Sequence, residues 1–209
     1  MEDTPRNPQL ALAHWRRAVA ELYGEARRLA AGAGGPRAAW AHWRTAREAL
    51  FAGHPQSPLP PAQREGFTGL PLFEYDPALR FEVAVTPLED APVQRWELGG
   101  DGLLMATPCL RTGGLQGALG AELTLFRLEG YGGGLFLPFA DTHGQTYGGG
   151  RYLLDTIKGA DLGHGPGGLV LDFNFAYNPS CAWSPQWVCP LAPTVNRLPL
   201  PIPAGEMAP

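Results

Sequence analysis

The stretch PFADTHGQTYGGGRYLLDTI, residues 138–157, gathers two carboxylates, three threonine hydroxyls, a histidine, an arginine and three consecutive glycines. An arginine in such company has two uses. Its planar guanidinium offers donors in a fork that fits carboxylate or phosphate oxygens, which makes Arg151 a candidate anion clamp. A carboxylate beside it, Asp141 or Asp172, is then a candidate general base. The other use is architectural, with Arg151 in a buried pair with Asp141, Asp155 or Asp172. Asp141 and Thr142 have an architectural reading too, because short polar side chains bind nearby backbone amides and shape turns. Gly148, Gly149 and Gly150 permit positive φ or close approach of another chain. They are not a phosphate loop, since no GxGxxG follows a strand and opens a helix, and there is no GKS or GKT.

A second stretch, LVLDFNFAYNP, reads as a strand over 169–176. Alternation places Leu169, Leu171, Phe173 and Phe175 on one face and Val170, Asp172, Asn174 and Ala176 on the other. Residues two apart on a strand face lie roughly 6.5–7 Å apart, so one ligand or one arginine engages both Asp172 and Asn174. Bounded by Val170 and Ala176, the polar pair suggests a lined cavity; the competing reading is the solvent face of an edge strand. The two stretches are expected to be neighbours, with Arg151 within reach of Asp172 or Asn174.

Cys181 and Cys189 are separated by the seven residues AWSPQWV, unlike the two to four of zinc knuckles, and no HxH or HExxH occurs among the five histidines. No metal site is expected, and the residues identify no cofactor. The two thiols read as buried or loop-locking groups; a cysteine nucleophile requires a base such as His143 from across the fold.

These residues need a scaffold. Apolar Leu12, Trp15, Val19, Leu22, Ala26 and Leu29 recur at helical spacing, AGAGGP breaks the pattern, and a second helix carries Trp40, Trp43 and Leu50 inward. A helical hairpin over Leu10 to Phe51 follows, with the Trp15, Trp40 and Trp43 face packed against the rest of the chain or against a second copy in a homodimer. Beyond HPQSPLPP the period changes to two, in RFEVAV, QRWEL, GLLMATP and AELTLFRL. In the last, Phe126 and Leu128 fall out of phase with Leu123 and Leu125, which predicts a bulge or strand end. The fold class is α+β and mostly β. Residues 1–55 form the helical hairpin; residues 56–209 form an antiparallel β-sandwich or barrel-like domain followed by a proline-rich wrapping coil after Tyr177.

The 209 residues, 44% hydrophobic and 17% charged with 28 glycines and 22 prolines, suit one turn-rich globular unit. A net charge of -4 without a basic stripe argues against nucleic acid. No apolar run approaches the roughly 20 residues that cross a bilayer, and MEDTPRNPQL lacks a signal-peptide pattern. A cytoplasmic protein without a membrane partner is expected, and three cysteines fit a reducing compartment.

Taken in order, WRTAREALFAGHPQSPL, FTGLPLFEYD, LPFADTHGQTYGGGRYL, LDFNFAYNPSCAWSPQWVCPLAP and NRLPLPIPAGE resemble the DUF1684 family of uncharacterised bacterial and archaeal proteins, from about Trp43 onward. The resemblance implies family positions at Asp141, Thr142, Gly144, Thr146, Tyr147, Gly148, Arg151, Asp172, Asn174, Tyr177, Asn178, Cys181, Cys189, Asn196 and Glu206. Trp183 stands where the family pattern suggests tyrosine. Some relatives resemble secreted proteins, in which the two cysteines are candidates to pair.

Such polar residues serve packing poorly unless each finds a partner. Two functions follow. In the first, a small polar or anionic ligand, with or without catalysis, is held by Arg151, by Asp172 or Asp141 as base, and by Thr142, Thr146, Tyr147, Asn174, Tyr177 and Asn178. In the second, the string is a non-catalytic lock that ties loops over the sheet. A site leaves Arg151 and Asp172 converging and partly unpaired; a lock satisfies every group internally.

Overall fold

The computed structural model describes residues 4–5, 7–98 and 102–209; the reading of MEDTPRNPQL therefore falls partly outside the described residues. Helix α1 (Pro8–Ala30) begins where the Asn7 side chain accepts the amides of Gln9 and Leu10, capping donors that the first turn leaves unpaired. Gly35, at φ 62°, turns the chain into α2 (Gly35–Gly53). The pair extends a little beyond the expected Leu10–Phe51.

Helical periodicity decides which side chains go inside. Leu22, Tyr23 and Ala26 of α1 and Trp40 and Trp43 of α2 share a buried cluster with Phe126, Phe136, Tyr152, Phe175 and Tyr177. Trp43 lies 5.2 Å from the Phe175 ring, and Trp40 Nε1 donates to the Asn174 carbonyl at 3.0 Å. Trp15 packs elsewhere, against Phe51 and His54. Burial of one such side chain contributes on the order of 2–3 kcal/mol. Trp40 and Trp43 are thus engaged within the chain and supply no argument for a homodimer. Among the described residues no helix is long and apolar enough to cross a membrane.

Among the described residues eight strands follow: β1 (Arg80–Pro87), β2 (Gln94–Glu97), β3 (Leu103–Gly113), β4 (Thr124–Leu128), β5 (Gly134–Phe139), β6 (Arg151–Asp155), β7 (His164–Gly165) and β8 (Gly168–Asp172). They form a curled antiparallel sheet in the order β6-β5-β4-β3-β1-β8-β7, with β2 also paired to β3. Two short helices, α3 (Pro61–Arg64) and α4 (Gln116–Leu119), lie in the connections.

Strand β4 explains the phase change in AELTLFRL. It runs unbroken through Phe126 and Leu128, and the register shift lies on its partner β3, between Pro108 and Leu110. Leu123 and Leu125 enter one apolar cluster, with Leu137, Phe139, Leu171, Phe173 and Ile202, while Phe126 and Leu128 enter the cluster under the helices. Both sheet faces are covered here, so apolar residues are continuous rather than alternating.

Candidate functional site

Arg151 opens β6, directly after Gly150, whose φ of 96° and close approach to the Phe139 carbonyl exclude a side chain there. The arginine is 1% exposed. Nη2 donates to Asp141 Oδ2 at 2.8 Å and to the Ile202 carbonyl at 3.2 Å; Nη1 donates to the carbonyls of Glu206, at 3.1 Å, and Ala204. The guanidinium also lies 5.1 Å from the centre of the Phe139 ring. Asp141 is equally engaged, its Oδ1 accepting from His143 N, Thr146 Oγ1 and Ile202 N. A carboxylate bound on both oxygens is poorly placed to take a substrate proton. The expected contact of Arg151 with Asp172 or Asn174 is replaced by this pair with Asp141 and by a row of carbonyls from residues 202–206.

The rest of the 138–151 turn serves the same end. Thr146 caps the turn through the Asp141 carboxylate and His143 carbonyl, Thr142 is exposed, and the Tyr147 hydroxyl lies 3.9 Å from Cys181 Sγ. Gly148 has open space around it, whereas a Cβ on Gly149 would meet the Tyr147 ring.

Asp172 ends β8, and here the expected strand stops early. The Asp172 carboxylate accepts Asn174 N at 3.0 Å and Asn174 Nδ2 at 2.8 Å, folding Phe173–Phe175 into a 3₁₀ turn. The two polar groups converge through this cap rather than through a shared strand face. Asn174 is further fastened to the backbone of Asp76, which donates to its Oδ1 and accepts from its Nδ2, both at 2.8 Å. The other Asp172 oxygen faces Arg80 Nε at 4.0 Å and the Tyr75 hydroxyl. Burial pushes the carboxyl up to about 6, against the opposing pull of Asn174 and Arg80.

Asp172 lines a cleft of about 330 Å³ together with Arg27, Arg80, Glu82 and His164. Its floor is β1, β7 and β8; its roof is the end of α1, at Ala30 and Ala31, and the start of α2, at Pro36 and Ala39. The two helix ends carry dipoles of opposite sign that offset each other, so side chains set the local field. Arg80 donates to Glu82 Oε1 at 3.2 Å, and Glu82 Oε2 accepts Gly167 N at 2.9 Å. A buried carboxyl that titrates near neutral pH beside an arginine in a cleft can hold or move a proton.

Tyr177 pairs its backbone with that of Tyr152, and Asn178 is held by Glu206 Oε2, which accepts its amide at 2.7 Å, and by the Met207 carbonyl. Neither residue reaches the Asp172 cleft; both line a smaller cavity under the helices. The thiols of Cys181 and Cys189 are free, with Cys189 Sγ accepting the Cys181 amide at 3.4 Å. Burial, reinforced by Cys189, pushes Cys181 up to about 11 and keeps it a thiol. His143 instead sets its ring edge-on to Phe73 and accepts Gln145 N, so it is no base for either cysteine. Among the described residues no group of three or more His, Cys, Asp or Glu side chains gathers as a metal site.

Arg27, Arg80, Glu82 and Arg47 were not singled out from the sequence. For Arg47 a signal was present: it lies four residues after Trp43 and four before Phe51, in the middle of the apolar stripe of α2. Glu82 and Arg80 share β1 with residues that look like ordinary solvent-facing alternation, and nothing local marks them.

A family model described as "Protein of unknown function (DUF1684)" matches residues 65–207. The chain belongs to the DUF1684 family. The match takes in the whole sheet and both polar clusters, while α1 and α2 precede it. This DUF1684 chain is also similar to an uncharacterised protein from Haloarcula marismortui solved by NMR in solution, with 34% identity, a TM-score of 0.52, and coverage of 78% of this chain and 89% of that one. No curated protein matches this DUF1684 chain.

Proposed function

We propose that this protein binds a small polar, anionic molecule in the cleft over Asp172, with Asp172 as the group that accepts or returns a proton where a reaction occurs. The carrying observation is that Asp172, 2% exposed and pushed up to about 6, borders a cleft of about 330 Å³. The donors in that cleft favour an anion. Glu82 is already bound by Arg80 and Gly167, Asp172 by Asn174 and Arg27 Nη1 by the Asp161 carbonyl, which leaves the remaining donors of Arg27, the Nε side of Arg80 and His164 for a ligand. Protonation of Asp172 removes a repelling charge, so anion affinity should rise as pH falls through about 6. Calorimetric titration with acetate, citrate and inorganic phosphate at pH 5 and pH 8 tests this. Binding that strengthens at pH 5 and weakens at least tenfold in Arg80→Ala is expected; binding by none of the three, or equal binding by the variant, would sink the reading.

A second reading, a non-catalytic interaction module, is favoured by the bonds that Asp141, Asn174 and the terminal nitrogens of Arg151 make within the chain. In both readings we take the curled sheet as a sandwich or barrel-like body and the proline-rich segment after Tyr177 as its wrapping coil, in a cytoplasmic protein with reduced thiols.

A further inference from the structure

The smaller cavity, about 60 Å³, lies between α1, α2 and the Tyr177–Ser180 segment, walled by Trp15, Val19, Phe51 and Tyr152. A water needs roughly 10–15 Å³ of such space, so the cavity takes about four to six water-sized groups. Three polar groups on its wall are incompletely paired. The Tyr23 hydroxyl, beside the Trp43 indole N–H, and Asn178 Oδ1 are fully buried and make no hydrogen bond of good geometry. Arg47, whose side chain is 12% exposed, donates through Nε to Glu206 Oε1 at 2.5 Å, and its guanidinium makes no other hydrogen bond among the described residues. The guanidinium instead lies between aromatic rings, 4.7 Å from Phe51 and 4.9 Å from Tyr177. A buried polar atom left without a partner is destabilising, so these two, beside an arginine with donors to spare, call for an occupant.

We infer that this cavity is a second binding site, for a small neutral molecule of about four heavy atoms that both accepts and donates hydrogen bonds, such as a primary amide. The chemistry of the wall selects that class. Arg47 and Tyr23 both line the cavity and can both donate; burial pushes Tyr23 far up, so it keeps its proton. Asn178 Oδ1 can only accept, and its orientation is fixed because Nδ2 donates to the Met207 carbonyl at 2.7 Å. The occupant must therefore donate as well. An anion is disfavoured: the Arg47 charge is already balanced by Glu206, and Asn178 Oδ1 and Glu206 both repel a carboxylate. The apolar wall accepts a methyl group. A carbonyl oxygen toward Arg47 and Tyr23 with an amide N–H toward Asn178 satisfies all three.

Acetamide and acetate are matched in size and shape and differ in this respect, so they are the probes. Both would be titrated into isotope-labelled protein while following the Asn178 side-chain amide and Arg47 Nε signals, and soaked separately into crystals. Saturating shifts with acetamide, at least tenfold weaker effects with acetate, and density in the cavity within about 3 Å of Asn178 Oδ1 are expected. Tyr23→Phe should weaken acetamide three- to tenfold. Val19→Leu, which fills the cavity and touches none of the polar groups, should abolish binding and provides the test if Tyr23→Phe fails to fold. Equal binding of the two probes, shifts that never saturate, a cavity filled only by water at high acetamide, or unchanged affinity in Val19→Leu would each overturn the proposal.

Discussion

Arg151 with Asp141 and Arg80 with Asp172 are both arginine–aspartate neighbours on the same sheet, yet they differ in what remains available. The first pair is in contact at 2.8 Å and 1% exposed on both sides, and the terminal nitrogens of its arginine end on Asp141 and backbone carbonyls, leaving only Nε without a partner. The second is separated by 4.0 Å, its arginine is 25% exposed, and its aspartate borders a cleft. The contrast teaches that residue type does not separate a lock from a site. Access does: a buried pair enclosed by the chain on every side holds the chain together, and one that borders a cleft can meet a ligand.

The largest effect should come from the enclosed side. Arg151→Leu leaves the Asp141 carboxylate buried without its cation and should cost about 3–5 kcal/mol in urea unfolding. Arg151→Lys keeps the charge but not the fork and should still cost about 2 kcal/mol. A loss below about 0.5 kcal/mol for the lysine variant would erase the distinction between the two regions.

On the open side the effect is a pH dependence. The carboxyl of Asp172 is raised from 3.8 to about 6, so its contribution to stability is present below pH 3.8 and is lost as pH rises through about 6. A shift of that size corresponds to about 3 kcal/mol. Asp172→Asn keeps the oxygen that caps Asn174 and does not titrate. Its stability relative to wild type should therefore improve by about that amount between pH 4 and pH 7, and a pH-independent difference would remove Asp172 from consideration as a proton carrier.

The smallest effect lies outside both regions. His54 Nδ1 accepts Gln56 N at 3.0 Å and its Nε2 meets His14 Nδ1 at 3.0 Å, and burial, with His14 and Arg64, holds it below its usual 6.5. Its contribution is present above pH 6.5 and lost as pH falls. His54→Asn should remove a slight acid-side decline in melting temperature that neither Arg151→Lys nor Asp172→Asn alters.

Periodicity made the helical pair legible because Trp40 and Trp43 are inward by spacing alone, and the apolar alternation of RFEVAV marked β1. The candidate site was legible only as a vocabulary. The strand was carried past Asp172 because the cap that ends it is braced by Asp76, 98 residues from Asn174, and no local pattern encodes that. The pair of Arg151 with Asp141 is one of the architectural pairings its sequence allows, but the choice of Asp141 over Asp172 is hidden because the remaining acceptors are backbone carbonyls, which carry no side-chain identity to read. The doubly covered β4 is the complementary case: its change of phase points to an irregularity, and the bulge lies opposite it, on β3.

The carbonyls that hold Arg151 have a consequence in time. They lie 51 to 55 residues downstream of it. At about 5–20 residues per second, a ribosome delivers them about 3–11 seconds after the arginine. During that interval a charged side chain destined for the interior has no place to go, so strand β6 cannot settle against its final neighbours until the segment around Ile202 emerges. Chains interrupted before that point should remain open to proteases and chaperones, which makes the Arg151 cluster a sensor of whether translation has passed residue 206.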